Sequence, residues 1–408
     1  KYMSMANWID KIINRSQAIA PICPQEMELI RRAIIIAHSN KLQMPIGLKI
    51  AAFYDLVISA VYYTNITNDG WLYCKDEGKN RLILPFVNCC PVHALKGEFH
   101  FHSSSKPTSA KIGQVTTRVL LLFYQELFDM QNTNIKVYKA PEPADAIFLD
   151  QENRKVLFAE IKSSPLLTPA ISTYCDELIS LDKDGNSIVL QHKKTANTNI
   201  LHNQLNLLIP KKQGKDWNMS TFPLGIKNSS TDAVFAYSGL LELFNNNEFI
   251  DSYLEYWNSS FRLYCTKDES KRIFWLTNAC GKPNNIKNWD GGVTCISDEK
   301  TSVGMDRTDD IKKGIYQVLK LGSEGKPTAD SWEYKVGILS NIHPARHFNA
   351  YLEPIKDLIW TISKEKNIKV IGDLPPETPL YNLFDGIITF TESYVKDKWV
   401  ETIISNIQ

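Results

Sequence analysis

Several things are scarce in this chain, and each scarcity removes a class of protein. Cysteine is thin: eight residues (Cys23, Cys74, Cys89, Cys90, Cys175, Cys265, Cys280 and Cys295) in 408. That is unlike the dense frameworks of small secreted domains, and it predicts a reducing, cytoplasmic setting. An excess of either charge is missing too. Lys+Arg 46 against Asp+Glu 45 leaves +1, so no global field announces a polyanionic or polycationic partner, and DNA binding would need a locally basic cleft. Long apolar runs are lacking: the most apolar early stretch, 46–63, carries Lys49 and Asp55 and reads as a buried helix, so no membrane partner is expected. The opening residues, Lys1 to Met5, run into a polar helical pattern with no apolar signal core. There is no P-loop, hence no expectation of ATP, and no GxSxG elbow. His343 and His347 stand four apart without the glutamate of an HExxH zinc helix.

What is present is an ordinary globular composition, 43% hydrophobic and 22% charged, with length for two or three domains. From Trp8 to about Tyr63 the apolar spacing is helical, with Pro24 and Pro45 at helix starts. Residues 64–106 read as a small irregular module with a short strand-like run, Arg81 to Leu84. An amphipathic helix is expected over about Ala110 to Met130, then three β-rich runs, 135–138, 146–149 and 156–159. Residues 165–300 show no repeat and read as a large insertion, with a helix-like stretch from Asn199 to Leu208. Afterwards the pattern predicts a helix over 310–321, a strand over 334–339, a helix from Leu352 to Ser363 and a strand over 384–390. Three parts are therefore expected: a helical N-terminal region with a Cys/His-containing module (1–106), a core (107–164 with 301–408) and the insertion between its halves.

The chemistry concentrates in Pro143-Ala144-Asp145-Ala146-Ile147-Phe148-Leu149-Asp150, a polar turn Gln151 to Lys155, and Val156-Leu157-Phe158-Ala159-Glu160-Ile161-Lys162. Two apolar runs around a polar turn predict a β-hairpin. Residues two apart on a strand share a face, so Glu160 and Lys162 point the same way. If the turn is centred between Glu152 and Asn153, Asp145 lies opposite Glu160. If it is centred on Asn153, the acids fall on opposite faces, so an even loop, a bulge or splaying is required. Two facing carboxylates beside one lysine form a hard-oxygen half-shell suited to Mg²⁺.

Asp145 with Glu160-Ile161-Lys162 resembles the motif of the PD-(D/E)XK nuclease superfamily. Pro143-Ala144-Asp145 departs from its first half by one residue inserted after the proline. The resemblance covers about 109–164 plus the part after 306. It implies an α/β (α+β) restriction-endonuclease-like core, a central mixed sheet flanked by helices, and Mg²⁺-dependent hydrolysis of double-stranded DNA to 5′-phosphate and 3′-hydroxyl ends. By that resemblance Asp145, Glu160 and the main-chain oxygen of Ile161 would hold Mg²⁺, and Lys162 would position the attacking water. The same Glu-X-Lys spacing occurs in Glu333-Tyr334-Lys335, but there the acid precedes the apolar run.

Supporting positions have two readings each. Glu126 is either an extra metal carboxylate or a solvated helix charge. Lys313 and Gln317, four apart on the helix after residue 307, either approach the scissile phosphate or form an exposed helix face, and Gln204 competes for that role. Cys74, Cys89, Cys90, His93, His100 and His102 suggest half of a zinc site, with buried thiols as the alternative. Among the superfamily, this length and the polar insertion resemble a type II restriction endonuclease of a restriction-modification system, acting as a two-fold homodimer. Lys193, Lys194, Asn197, Asn199, Arg307 and Arg346 are candidate DNA contacts. The rivals are a non-specific repair or phage nuclease with the same metal site, a non-catalytic DNA-binding module, and a metal-stabilised interaction protein centred on Cys89, Cys90 and His93.

Overall fold

The computed structural model describes residues 6–68, 70–76, 79–98, 104–174, 200–229, 232–279, 303–329, 331–364, 367–405 and 407. Helices in chain order are α1 (Ala6–Arg15), α2 (Pro24–Ser39), α3 (Ile46–Tyr63), α4 (Pro91–Lys96), α5 (Ser109–Met130), α6 (Phe235–Leu243), α7 (Asn247–Thr266), α8 (Thr308–Gly325), α9 (Phe348–Tyr351) and α10 (Lys398–Thr402). The strands are β1 (Gln17–Ala18), β2 (Leu72–Asp76), β3 (Lys79–Leu84), β4 (Ile135–Lys139), β5 (Ala146–Asp150), β6 (Lys155–Ile161) and β7 (Ala170–Tyr174). They continue with β8 (Leu205–Gln213), β9 (Asp216–Gly225), β10 (Glu333–Ser340), β11 (Ile359–Trp360), β12 (Tyr381–Asn382), β13 (Gly386–Thr389) and β14 (Tyr394–Val395).

The chain is mixed α/β and divides into two compact units. One comprises residues 1–20, 117–164 and 304–408, the other 21–116 and 165–303. This partition corrects the three-part expectation. Helices α2 and α3, the 64–106 module and the insertion fold together, because β3 pairs with β7 and the sheet β2-β3-β7-β8-β9 is hydrogen-bonded across both stretches, whereas α1 belongs to the unit that holds 117–164 and 304–408. The module expected to be irregular thus supplies two sheet strands and α4.

The first unit is built on a seven-stranded mixed sheet, β1-β4-β5-β6-β10-β13-β14. β4, β5 and β6 form an antiparallel meander, while β10 pairs parallel to both β6 and β13. Strand parity distributes its two faces. Ile147 and Leu149 of β5 and Val156 and Phe158 of β6 share one apolar cluster with Ile9 and Ile12 of α1 and Ile311, Val318 and Leu321 of α8. On the other face Phe148 receives the rings of Tyr124 and Phe128 from α5. α8 packs tightly on β10, since a Cβ on Gly314 would lie 3.2 Å from Ile338 Cδ1. Burial of these apolar side chains is the main stabilising term, about 25 cal/mol per Å² removed from water.

Two local expectations fail. The helix expected over Leu352 to Ser363 is replaced by turns and the short strand β11, which pairs with β12. Pro354 lies inside that segment, where it lacks an N–H and clashes with the preceding turn. The helix-like stretch from Asn199 to Leu208 is a 3₁₀ turn, Ile200–His202, leading into β8. There Leu205, Leu207 and Leu208 are buried in the second unit's sheet.

In the second unit, α2, α3, α6 and α7 accompany the five-stranded antiparallel sheet. Among the described residues one helix, α3, is long and apolar enough to cross a bilayer, and 89% of it is buried within the fold. Its Asp55 is fully buried and accepts from the main-chain N–H groups of Leu166 (2.9 Å) and Leu167 (3.0 Å) and from Trp257 Nε1 (2.7 Å). Those donors offset the cost of a buried carboxylate.

Candidate functional site

The hairpin is joined by a four-residue loop, 151–154, rather than a loop extending to Lys155, which already belongs to β6 and pairs with Asp150. The even loop sets the register: Ala146 faces Ala159 and Ile147 faces Phe158, so one further step brings Asp145 to Glu160. At that step the ladder gives way to side-chain contacts. Asp145 donates its main-chain N–H to Ala159 O at 3.1 Å, and its Oδ2 accepts the Ile161 N–H at 2.8 Å. Glu160 follows Val156 and Phe158 in parity and lies on the face covered by α8.

Glu160 is 8% exposed. Burial, together with the neighbouring Asp145 charge and a hydrogen bond between the two carboxyls, pushes Glu160 up to about 7, while Lys162 pulls the other way. Lys162 Nζ donates to Glu160 Oε1 and lies 3.4 Å from the Ile161 carbonyl oxygen. Two crowded carboxyls, a carbonyl oxygen and an ammonium therefore converge at the end of β6. The donor set is all hard oxygen, and like charges held this close are stabilised by a cation between them. These residues fit Mg²⁺.

The surrounding chain fixes this end. The Lys162 N–H donates to Leu339 O at 2.9 Å, extending the β6–β10 pairing. Asn341, fully buried after β10, donates to Ser164 O at 2.9 Å and accepts from Ser164 N at 3.1 Å. The chain returns to the first unit at Gly304, whose φ of +55° and 3.2 Å approach of a would-be Cβ to Ser164 N favour glycine. Asn341 and Gly304 escaped the sequence reading. Their one signal is position, a polar residue closing an apolar strand and a glycine opening the resumed core.

Gln317 lies on α8, and its Nε2 donates to Pro143 O, so it braces the lead-in to Asp145. Lys313 is exposed one turn earlier. Gln204 belongs to the second unit and spends its amide on Leu205 O. Glu126 is 4% exposed, which removes its reading as a solvated charge. It sits on α5, the helix whose rings cover the Phe148 face of β5, opposite the face of the two acids. Arg307 precedes α8 and pairs with Asp310 at 3.5 Å. Arg346 donates its main-chain N–H to the Asp306 carboxylate. Lys193, Lys194, Asn197, Asn199, His100 and His102 lie outside the described residues. The second Glu-X-Lys is at the opposite end of the sheet, where Lys335 pairs with Asp397 at 2.5 Å and Glu333 at 3.2 Å.

A second feature belongs to the second unit alone. A cleft of about 1050 Å³ is lined by Arg81, Lys96, Lys212, Lys215, Arg262, Lys271 and Arg272, with Asp216 the single acid and Trp217 in its wall. Arg272 is oriented by Leu95 O at 3.0 Å, and Arg81 lies over the Tyr174 ring. The whole chain is nearly neutral, so this cleft is the local concentration of positive charge that composition could not reveal.

No known protein family, curated protein or solved structure matches this chain.

Proposed function

We propose that the chain is a Mg²⁺-dependent deoxyribonuclease whose reaction centre is Asp145, Glu160, the Ile161 carbonyl and Lys162. The single observation that carries this reading is the meeting of Asp145 and Glu160 at the end of the hairpin with Lys162 Nζ on Glu160. Bound there, Mg²⁺ would neutralise charge on the scissile phosphate and acidify a bound water. Asp145 and Glu160 supply the charge that holds the cation. Asp145 also fixes the Ile161 N–H, so the Ile161 carbonyl is turned to the same side. The Lys162 ammonium orients the attacking water. The water oxygen forms the new bond to phosphorus, the P–O3′ bond breaks, and the products are a 5′-phosphate and a 3′-hydroxyl.

Double-stranded DNA is the proposed substrate, and the basic cleft of the second unit supplies cations for its phosphates. A type II restriction endonuclease acting as a homodimer is the specific form proposed, with each chain cutting one strand. The experiment is incubation of the purified full chain with Mg²⁺ and plasmid DNA, followed by sequencing of the ends. Discrete fragments sharing one sequence at the cut support the restriction reading. A smear supports a non-specific nuclease, and intact plasmid overturns both.

A further inference from the structure

In the second unit, Cys74 of β2, Cys90 at the start of α4 and His93 in the first turn of α4 bring two sulfurs and an imidazole nitrogen together within 4.8 Å. The separations are 3.9 Å between the two sulfurs, 3.4 Å from Cys74 Sγ to His93 Nδ1 and 3.2 Å from Cys90 Sγ to the same nitrogen. Two sulfurs converge on one imidazole nitrogen, an arrangement that a hydrogen-bonded thiol–imidazole cluster shares with a set of ligands around one metal ion. A disulfide needs sulfurs about 2.05 Å apart. A tetrahedral zinc with Zn–S of about 2.3 Å and Zn–N of about 2.0–2.1 Å has edges of about 3.8 Å between sulfurs and about 3.5 Å between sulfur and nitrogen. The observed edges lie close to those of a common centre.

We infer that Cys74, Cys90 and His93 bind one Zn²⁺, with a water as the fourth ligand. The surroundings suit that ion. Cys74 and Cys90 are 0% and 1% exposed and sit among Leu72, Ile83, Val92, Ala170 and Leu208. Two thiolates cancel the charge of Zn²⁺, so the centre is neutral where an uncompensated charge would be costly. Soft sulfur ligands exclude Mg²⁺ and select zinc. Binding expels the thiol protons to solvent. The ion staples α4 to β2, and Val92, Leu95 and Lys96 of α4 line the basic cleft, so the metal fixes one wall of that cleft. Cys89 is not a ligand: its thiol is turned to Trp275 O at 3.4 Å.

The test is metal analysis of the full chain, purified without chelator after growth in zinc-supplemented medium, together with Co²⁺ substitution. The expected result is one zinc per chain and a thiolate-to-cobalt charge-transfer band. Both should be retained in Cys89→Ser and lost in Cys90→Ser and His93→Ala. Wild-type protein that is folded by circular dichroism yet holds less than a tenth of an equivalent of zinc and gives no cobalt band overturns the site. Retention of full zinc by Cys90→Ser overturns it equally. These readouts are independent of DNA cleavage, so failure here and failure of the nuclease reading are distinguishable.

Discussion

The Asp145 carboxylate holds the main-chain N–H of Ile161 at 2.8 Å, so the acid on one strand fixes the Glu160–Ile161 peptide on the next, at the residue between Glu160 and Lys162. Strand β6 alone presents an acid and an amine on one side. The hydrogen bond from the neighbouring strand turns that local pattern into a constellation of defined geometry, in which a third oxygen, the Ile161 carbonyl, is oriented as well.

Lys162→Ala is expected to lower Mg²⁺-dependent DNA cleavage by about 10²–10³-fold or more, the size typical of removing one preorganised stabilising group. Folding and DNA affinity should be unchanged. Asp145→Asn should fall to the same floor. Turnover is measured on plasmid, affinity by filter binding in Ca²⁺, and full turnover of either variant removes it from the reaction.

Ca²⁺ or Mg²⁺ should stabilise the folded chain without DNA present. At ten times the dissociation constant the gain is about 1.4 kcal/mol by mass action, a rise of a few degrees in Tm. The shift should vanish in Asp145→Asn and in Glu160→Gln. Differential scanning calorimetry with and without the ion measures it, and an equal shift in all three proteins would place the ion elsewhere.

Asn341→Ala should cost about 1 kcal/mol, because it leaves the half-buried Ser164 N–H and C=O without the Asn341 amide as partner. Ser164 is two residues past Lys162, so cleavage should fall although Asn341 makes no contact with Asp145 or Glu160 through these bonds. Urea unfolding gives the stability and plasmid assays the rate. A destabilised variant with unchanged kcat under folding conditions would confine Asn341 to a structural role.

The basic cleft predicts salt dependence. Each phosphate neutralised contributes about 0.9 to the slope of log affinity against log salt. Arg262→Glu and Lys271→Glu, both lining the cleft, should weaken DNA binding and flatten that slope by about one unit each. Titrations at several salt concentrations measure the slope, and an unaltered slope would place DNA on another surface.

His343 gives a pH dependence of stability. Burial lowers its basicity, against the opposing pull of Glu392, whose main chain it bonds, and of Asp306, and its Nδ1 is buried without a partner among the described residues. The unfolded chain takes up a proton near the usual histidine value of about 6.5, and the folded chain does so only lower. Stability from this group is therefore full above about pH 6.5 and declines as pH falls through it, by at most about 1.4 kcal/mol per pH unit. His343→Asn should flatten that part of the profile, measured by urea unfolding from pH 5 to 8, and an unchanged profile would assign the acid sensitivity elsewhere.

The hairpin was legible because its information is local, two apolar runs flanking a polar turn, whereas its register was not, since a turn read as Gln151 to Lys155 left two pairings open and only the four-residue loop 151–154 brings Asp145 to Glu160. The helices 109–130 and 308–325 were legible for the same reason, since their apolar residues recur at helical spacing. Long-range pairing was not. Nothing in Lys79 to Leu84 announces a partner at Ala170 to Tyr174, so the module and the insertion read as separate parts when they share one sheet. Leu352 to Ser363 misled because its apolar spacing outweighed Pro354. The roles of Gln317 and Asn341 depend on which main-chain groups lie opposite them, and no pattern along the chain encodes that.

The parallel pairing of β6 with β10 bears on how the protein is made. As the polypeptide leaves the ribosome, the hairpin carrying Asp145 and Glu160 emerges with the outer edge of β6 bare. That edge gains its neighbour only when residues 333–340 follow, after all of 165–303 has been synthesised. Leu339 supplies the acceptor for the Lys162 N–H at that late stage. Nascent chains stalled before residue 333 should therefore present an open strand edge, the kind of surface that templates aggregation, and the acidic end of the sheet is completed only once β10 has followed the intervening segment.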